Sequence, residues 1–162
     1  MSASGGRREM ALQFPALAGS AALVDGECFC LNINRAARAM NRRFDDAFRP
    51  LGIGSGQFSV MMLLCDDHAL SIGQLASRVG CDRTTVTALL KPLLRRGLVE
   101  MSVDRRDSRR KCVVLREEGA DLLRQALPLW QQLTASIGDA ASLEGGGLVA
   151  ALRSLSSGRH GT

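Results

Sequence analysis

The sequence predicts a mainly α-helical protein carrying one small β-hairpin, with long helices towards both ends. Apolar residues recur at three- and four-residue steps through much of the chain. Two short helical segments joined by a glycine-containing turn lie in its middle. Directly after them, two β-prone runs flank a turn crowded with arginines.

Residues 1–24, MSASGGRREMALQFPALAGSAALV, are small and weakly patterned and read as a flexible arm. From Asp25 a helical stripe passes through Phe29, Ile33, Ala36, Ala37, Met40, Phe44 and Phe48, and Pro50 with Gly52 ends it after about 25 residues. SGQFSVMMLLCDD follows as a shorter helix, with Ser55 as its N-cap and Phe58, Met61, Met62 and Cys65 along its stripe.

SIGQLASRVG is a helix capped by Ser71 and turned by Gly80, and DRTTVTALLKPLLRRG is one capped by Asp82 and stopped by Gly97. Pro92 should bend the latter or remove one of its backbone bonds. LVEMSV and KCVVLR then form a hairpin. Its tip gathers Arg105, Arg106, Arg109, Arg110 and Lys111 against only Asp104 and Asp107. Beyond it, EEGADLLRQALPLWQQLTASI places Leu122, Leu123, Ala126, Leu127, Trp130 and Leu133 on one helical face, and LEGGGLVAALRSLSS reads as a last helix.

Helix-turn-helix followed by hairpin is the order of a winged helix. Residues 25–158 are therefore expected to form a single domain, with 53–116 as the winged helix-turn-helix unit and 25–50 and 117–158 as dimerisation helices. Those outer helices carry more apolar surface than the central unit can cover, so a second subunit is the expected cover.

No apolar run approaches the roughly 18 residues of a membrane span, and no signal-peptide pattern opens the chain, which predicts a soluble cytoplasmic protein. The five cysteines, Cys28, Cys30, Cys65, Cys81 and Cys112, are odd in number and lack metal-ligand spacing, so reduced and mostly buried thiols are expected, with no metal and no cofactor. Charge is concentrated. Residues 78–116 hold 11 Lys/Arg against 4 Asp/Glu, while the rest of the chain holds 10 against 12. A basic face of this kind points to a polyanion, and duplex DNA is the partner this order of elements fits.

In that reading Arg83, Thr84, Thr85, Thr87 and Lys91, on the second helix of the pair, donate to base edges and phosphates in a major groove, with Ser71 beside them. Arg105, Arg106, Arg109 and Arg110 reach phosphates or the minor groove alongside. Catalytic readings fail because no phosphate-cradling glycine loop, GxSxG or HExxH is present. An RNA-binding module would normally offer stacking aromatics, and aromatics make up only 4% of this chain.

From Leu51 to Leu123, LGIGSGQFSVMMLL, SIGQLASRVGCDRTTVTALLKPLLRRGLVE and DRRDSRRKCVVLREEGADLL resemble the MarR family of winged-helix transcriptional regulators. Asp104, Arg106 and Arg109 match the family's wing pattern, and the resemblance implies that they shape the wing and touch the minor groove. Arg116 departs from it, standing where family members usually carry a capping Thr. The resemblance further implies a homodimer on a near-palindromic operator and, by family tendency, a repressor.

Two modes of release are implied. One is a small aromatic or phenolic anion in a crevice lined by residues such as Asn32, Arg35, Met61, Met62, Cys65, His68 and Trp130, although a Met/Cys stripe at helical spacing is also ordinary core. The other is thiol oxidation by a hydroperoxide. ECFCLNINRAARAMNRRF is similar to the first helix of the OhrR-type peroxide-sensing branch, with Cys28 near its reactive cysteine, yet that branch uses tyrosines and this chain has none. Cys28 and Cys30, two apart in one helix, would point about 200° apart and could neither chelate a metal together nor close an unstrained disulfide.

Overall fold

The computed structural model describes residues 17, 19–66, 69–103, 111–140 and 145–157. The chain divides into two compact units, Met1–Met40 and Asn41–Thr162.

The first unit holds helix α1 (Ser20–Glu27) and the start of helix α2 (Phe29–Phe48). Here the expectation of a flexible stretch to residue 24 and one unbroken helix from Asp25 needs correcting. Helix begins at Ser20, and Cys28 interrupts it in an extended conformation with ψ 105°. The interruption follows Gly26, a poor helix former, and nearby polar groups brace it. The Asn32 side-chain amide donates to the carbonyls of both Asp25 and Cys28 at 3.0 Å, and Arg35 is ion-paired with Asp25.

In the second unit α2 ends in a 3-10 turn over Arg49–Leu51, with Pro50 in it and Gly52 beyond it at φ 67°. Helices α3 (Ser55–Asp66), α4 (Ile72–Val79) and α5 (Arg83–Arg95) follow. Strands β1 (Val99–Val103) and β2 (Lys111–Leu115) pair antiparallel with Val99 opposite Leu115 and Val103 opposite Lys111. Helices α6 (Glu117–Ala140) and α7 (Gly145–Ser157) complete it. Leu70, just before α4, exchanges two backbone hydrogen bonds with Val113 at 3.1 and 2.8 Å. That bridge ties the helix-turn-helix to the hairpin.

Phe48, Phe58, Met61, Leu64, Leu75, Val86, Leu90, Leu93 and Val113 form the buried centre, with the Phe48 and Phe58 rings stacked 4.7 Å apart. Each such side chain contributes about 1.5–3 kcal/mol by leaving water. Met61 is thus wholly core, which removes it from any crevice lining. Gly119 lets α6 start tight against the hairpin, because a Cβ there would lie 2.2 Å from the Leu98 carbonyl oxygen. Arg116, in place of a capping Thr, pairs with Glu118 at 3.3 Å. The Glu118 carboxyl lies below its ordinary range, first because it accepts from its own backbone amide and then because Arg116 is beside it. Glu117 and Glu118 also place acidic charge in the first turn of α6, where the helix dipole favours it.

Only Cys112 is buried among the cysteines. Cys30 and Cys65 are exposed on the outward sides of their helices, and Cys28 and Cys81, in the breaks between helices, are half-buried. No helix among the described residues is long and apolar enough to cross a membrane.

Candidate nucleic-acid interface

α4 and α5 are positioned by their caps. The Ser71 hydroxyl accepts from the Gln74 amide at 3.3 Å, and the Gln74 side-chain oxygen accepts from the Ser71 amide at 2.9 Å, a reciprocal capping box. Gly80 turns the chain at φ 76°, where a side chain would be strained. Asp82 then caps α5, accepting from the Thr85 amide at 2.7 Å and the Thr85 hydroxyl at 3.0 Å. These bonds, the amide first, hold the Asp82 carboxyl below its ordinary value and keep it ionised. At the far end Gly97, φ 67°, allows the Leu98 amide to reach the Leu93 carbonyl at 3.0 Å and close the helix. Pro92 withholds one amide, and α5 nevertheless runs on to Arg95.

Helical spacing then divides α5 into two faces. Val86, Leu90 and Leu93 are buried, while Arg83, Thr84, Thr87, Ala88 and Lys91 are exposed and line one shallow concavity of about 270 Å³. The structure thus brings together four of the expected contact residues, Arg83, Thr84, Thr87 and Lys91. Thr85 and Ser71 are nearby, but both hydroxyls are engaged in caps. Thr87, exposed, donates its hydroxyl to the Arg83 carbonyl at 2.7 Å.

The first-turn amides are likewise partly used by the Asp82 carboxylate. An end capped in this way offers fewer free amides to an anion than an open helix start would. The Arg83 guanidinium lies over Gly73 of α4, 3.2 Å from where a Cβ would stand. Sequence reasoning passed over Gly73, whose role depends on how α4 and α5 pack. Arg105, Arg106, Arg109 and Arg110 lie outside the described residues, as does His68; the described strand pairing ends at Val103 and Lys111.

The expected ligand-binding residues fall in both units, and within the second Met62 and Cys65 line different cavities. Asn32 and Arg35 brace the break between α1 and α2 in the first unit. In the second, Met62 opens onto a cavity of about 320 Å³ with Ser59, Leu63, Arg78 and Val79. Cys65 opens onto another of about 270 Å³ with Leu64, Leu115, Arg116, Glu117 and Ala120. Trp130 is partly exposed on α6. Cys28 stands just before α2, and its sulfur accepts from the Leu31 amide at 3.5 Å. It lies outside the regular helix that holds Cys30, so the helical angle expected between the two does not apply. Among the described residues no group of three or more His, Cys, Asp or Glu is placed to hold a metal.

Comparison with known proteins meets this geometry. The MarR family model matches residues 53–111. The HTH-type transcriptional repressor YetL of Bacillus subtilis is 35% identical over 100 residues, which are 60% of this chain and 60% of that repressor, so the chain spans about three-fifths of this curated relative. Among solved structures, the M. tuberculosis transcriptional regulator MosR in complex with DNA is 31% identical, covering 80% of this chain and 94% of that one with a TM-score of 0.71. CouR from Rhodococcus jostii RHA1, bound to p-coumaroyl-CoA, is 21% identical and shares the fold over 85% of this chain and 97% of its own, with a TM-score of 0.68. These relatives are regulators, not enzymes. By its family-model match, its likeness to MosR and its helix-turn-helix with hairpin, the chain belongs to the MarR family of winged-helix transcriptional regulators.

Proposed function

We propose that the protein is a homodimeric, cytoplasmic transcriptional repressor that reads near-palindromic duplex DNA and releases it when a small ligand binds. The exposed polar face of α5 carries this reading. Arg83, Thr84, Thr87 and Lys91 stand together on the side opposite Val86, Leu90 and Leu93, as a helix laid in a major groove requires. Arg105, Arg106, Arg109 and Arg110 supply the neighbouring phosphate and minor-groove contacts, and Ser71 and Thr85 serve the same face chiefly by holding α4 and α5 in shape.

A second copy is supported by apolar side chains left in solvent: Leu148, Leu152 and Leu155 on α7 and Leu127 and Trp130 on α6. Two-fold symmetry then sets half-sites about 34–36 Å apart. Footprinting on the duplex upstream of the protein's own gene tests this. Two protected patches one helical turn apart on one face support it, and uniform or absent protection refutes it.

For release, the 320 Å³ cavity beside Met62 is mostly apolar with Arg78 at its edge, a setting for a small aromatic or phenolic anion. A second reading is favoured by Cys28. Its half-buried sulfur just before the first turn of α2 is placed as a thiol that meets hydroperoxide would be. Under that reading peroxide frees DNA from the parent protein and not from Cys28→Ser; equal release from both rules it out.

A further inference from the structure

Arg96 closes α5, and the proposed DNA contacts make no use of it. Its backbone amide donates to the Pro92 carbonyl at 3.1 Å as the helix ends. Its side chain turns back to the corner between α2 and α3. There Nη1 donates to the Gly52 carbonyl at 2.6 Å and Nη2 to the Leu51 carbonyl at 3.1 Å. These contacts span 44 and 45 residues of sequence.

The acceptors exist because of the local chain path. Pro50 and the 3-10 turn end α2, and Gly52 at φ 67° leaves its own and the preceding carbonyl open. The guanidinium passes close over that glycine, 3.3 Å from where a Cβ would stand. A planar fork with parallel donors can meet two successive carbonyls at once, which an ammonium on a flexible stem cannot do in the same way. The middle of α5 is seated separately: Gly56 lets Leu89 approach α3, and the Gln57 side chain donates to the Leu89 carbonyl at 3.5 Å. With the middle seated, the tie at Arg96 governs how far the helix can pivot about it.

We propose that Arg96 is a positioning residue for DNA reading: by binding the Leu51 and Gly52 carbonyls it sets the pitch of α5, and with it the direction in which Arg83, Thr87 and Lys91 meet DNA. The inference rests on the DNA-binding reading above. Arg96 itself touches no base or phosphate in this account, although its side chain is exposed.

The test is fluorescence anisotropy of the full chain on a labelled duplex from upstream of its own gene, over a salt series, for the parent, Arg96→Ala and Arg96→Lys, with far-UV circular dichroism on each. Loss of two charge-assisted bonds should weaken binding about tenfold. Positioning predicts that loss at every salt concentration with the parent's salt slope and helical signal, and it predicts that Lys fails nearly as badly as Ala. A slope flatter by about 0.9 in Arg96→Ala, restored by Lys, would make Arg96 a phosphate contact and overturn the proposal. Unchanged affinity in both variants overturns it equally. If Arg96→Ala loses helical signal, Arg96→Lys alone is read on the same terms. A parent that fails to bind any duplex refutes the DNA-binding reading itself, whereas a parent that binds beside an equally tight Arg96→Lys refutes only this inference.

Discussion

The middle of the chain and its last helix treat similar residues in opposite ways. From Ile53 to Leu123 most leucines and valines at helical and strand spacing turn wholly or partly inwards and pack together, and no described polar side chain is buried with them. In α7 the described side chains are exposed, Leu148, Val149, Leu152 and Leu155 included, and α1 likewise has no buried residue. Hydrophobic composition is therefore no guide to where a core will close. The winged unit completes its own interior, whereas the outer helices present apolar surface for which a second copy is the proposed cover.

The sharpest way to break that contrast is by matched substitutions. Leu90→Ala, in the closed core, should lower unfolding free energy by about 2–5 kcal/mol, seen as an earlier urea midpoint. Leu152→Asp on α7 should instead leave the helical signal in place and convert a dimer to a monomer in sedimentation equilibrium. A Leu152→Asp protein that remains dimeric would remove α7 from the interface.

Gly119→Ala probes the same core at its tightest backbone approach. With a Cβ 2.2 Å from the Leu98 oxygen, α6 must shift, and the loss should lie towards the top of the about 1–3 kcal/mol that overpacking costs. Thermal melts that match the parent's would mean that α6 yields freely there.

On the exposed side of α5, Lys91→Ala should leave stability unchanged, weaken DNA binding several-fold and flatten the salt slope by about 0.9, the signature of one lost phosphate contact. The smallest effect concerns pH. Asp82 has its folded-state pKa lowered by the Thr85 amide and hydroxyl, so its capping contribution is present above the unfolded-state value and fades as pH falls through the folded one. Asp82→Ala should consequently be less stable than the parent at neutral pH, with the gap narrowing in acid. A gap that is constant with pH would show that the charge on Asp82 does not matter to the cap.

Much of this was legible before any coordinates. Ser71, Gly80, Asp82 and Gly97 are local signals, each acting within a few residues, and they bound α4 and α5 where the structure has them. The hairpin followed from two β-prone runs about a polar turn. What escaped reading is non-local or competitive. The Leu70 to Val113 bridge and the Arg96 to Gly52 contact join segments more than 40 residues apart, and no periodicity encodes them.

The break at Cys28 lies just ahead of Phe29, where the apolar stripe begins, so the stripe carries no signal of it. Asn32 and Arg35 were legible as polar residues on that helix but not as its braces. Thr85 shows the same limit at the site. It stands on the reading helix, yet its hydroxyl is engaged by Asp82, a choice between partners that only geometry decides.

The central claim is that the exposed face of α5 reads duplex DNA. Its most direct test is anisotropy of the parent and of an Arg83→Ala, Lys91→Ala double variant on the upstream duplex and on an unrelated duplex of equal length, at fixed salt. The account predicts that the parent prefers the upstream duplex by at least about a thousandfold and that the folded double variant loses most of that preference. Equal affinity of the parent for both duplexes, or a double variant that keeps the full preference, would contradict it.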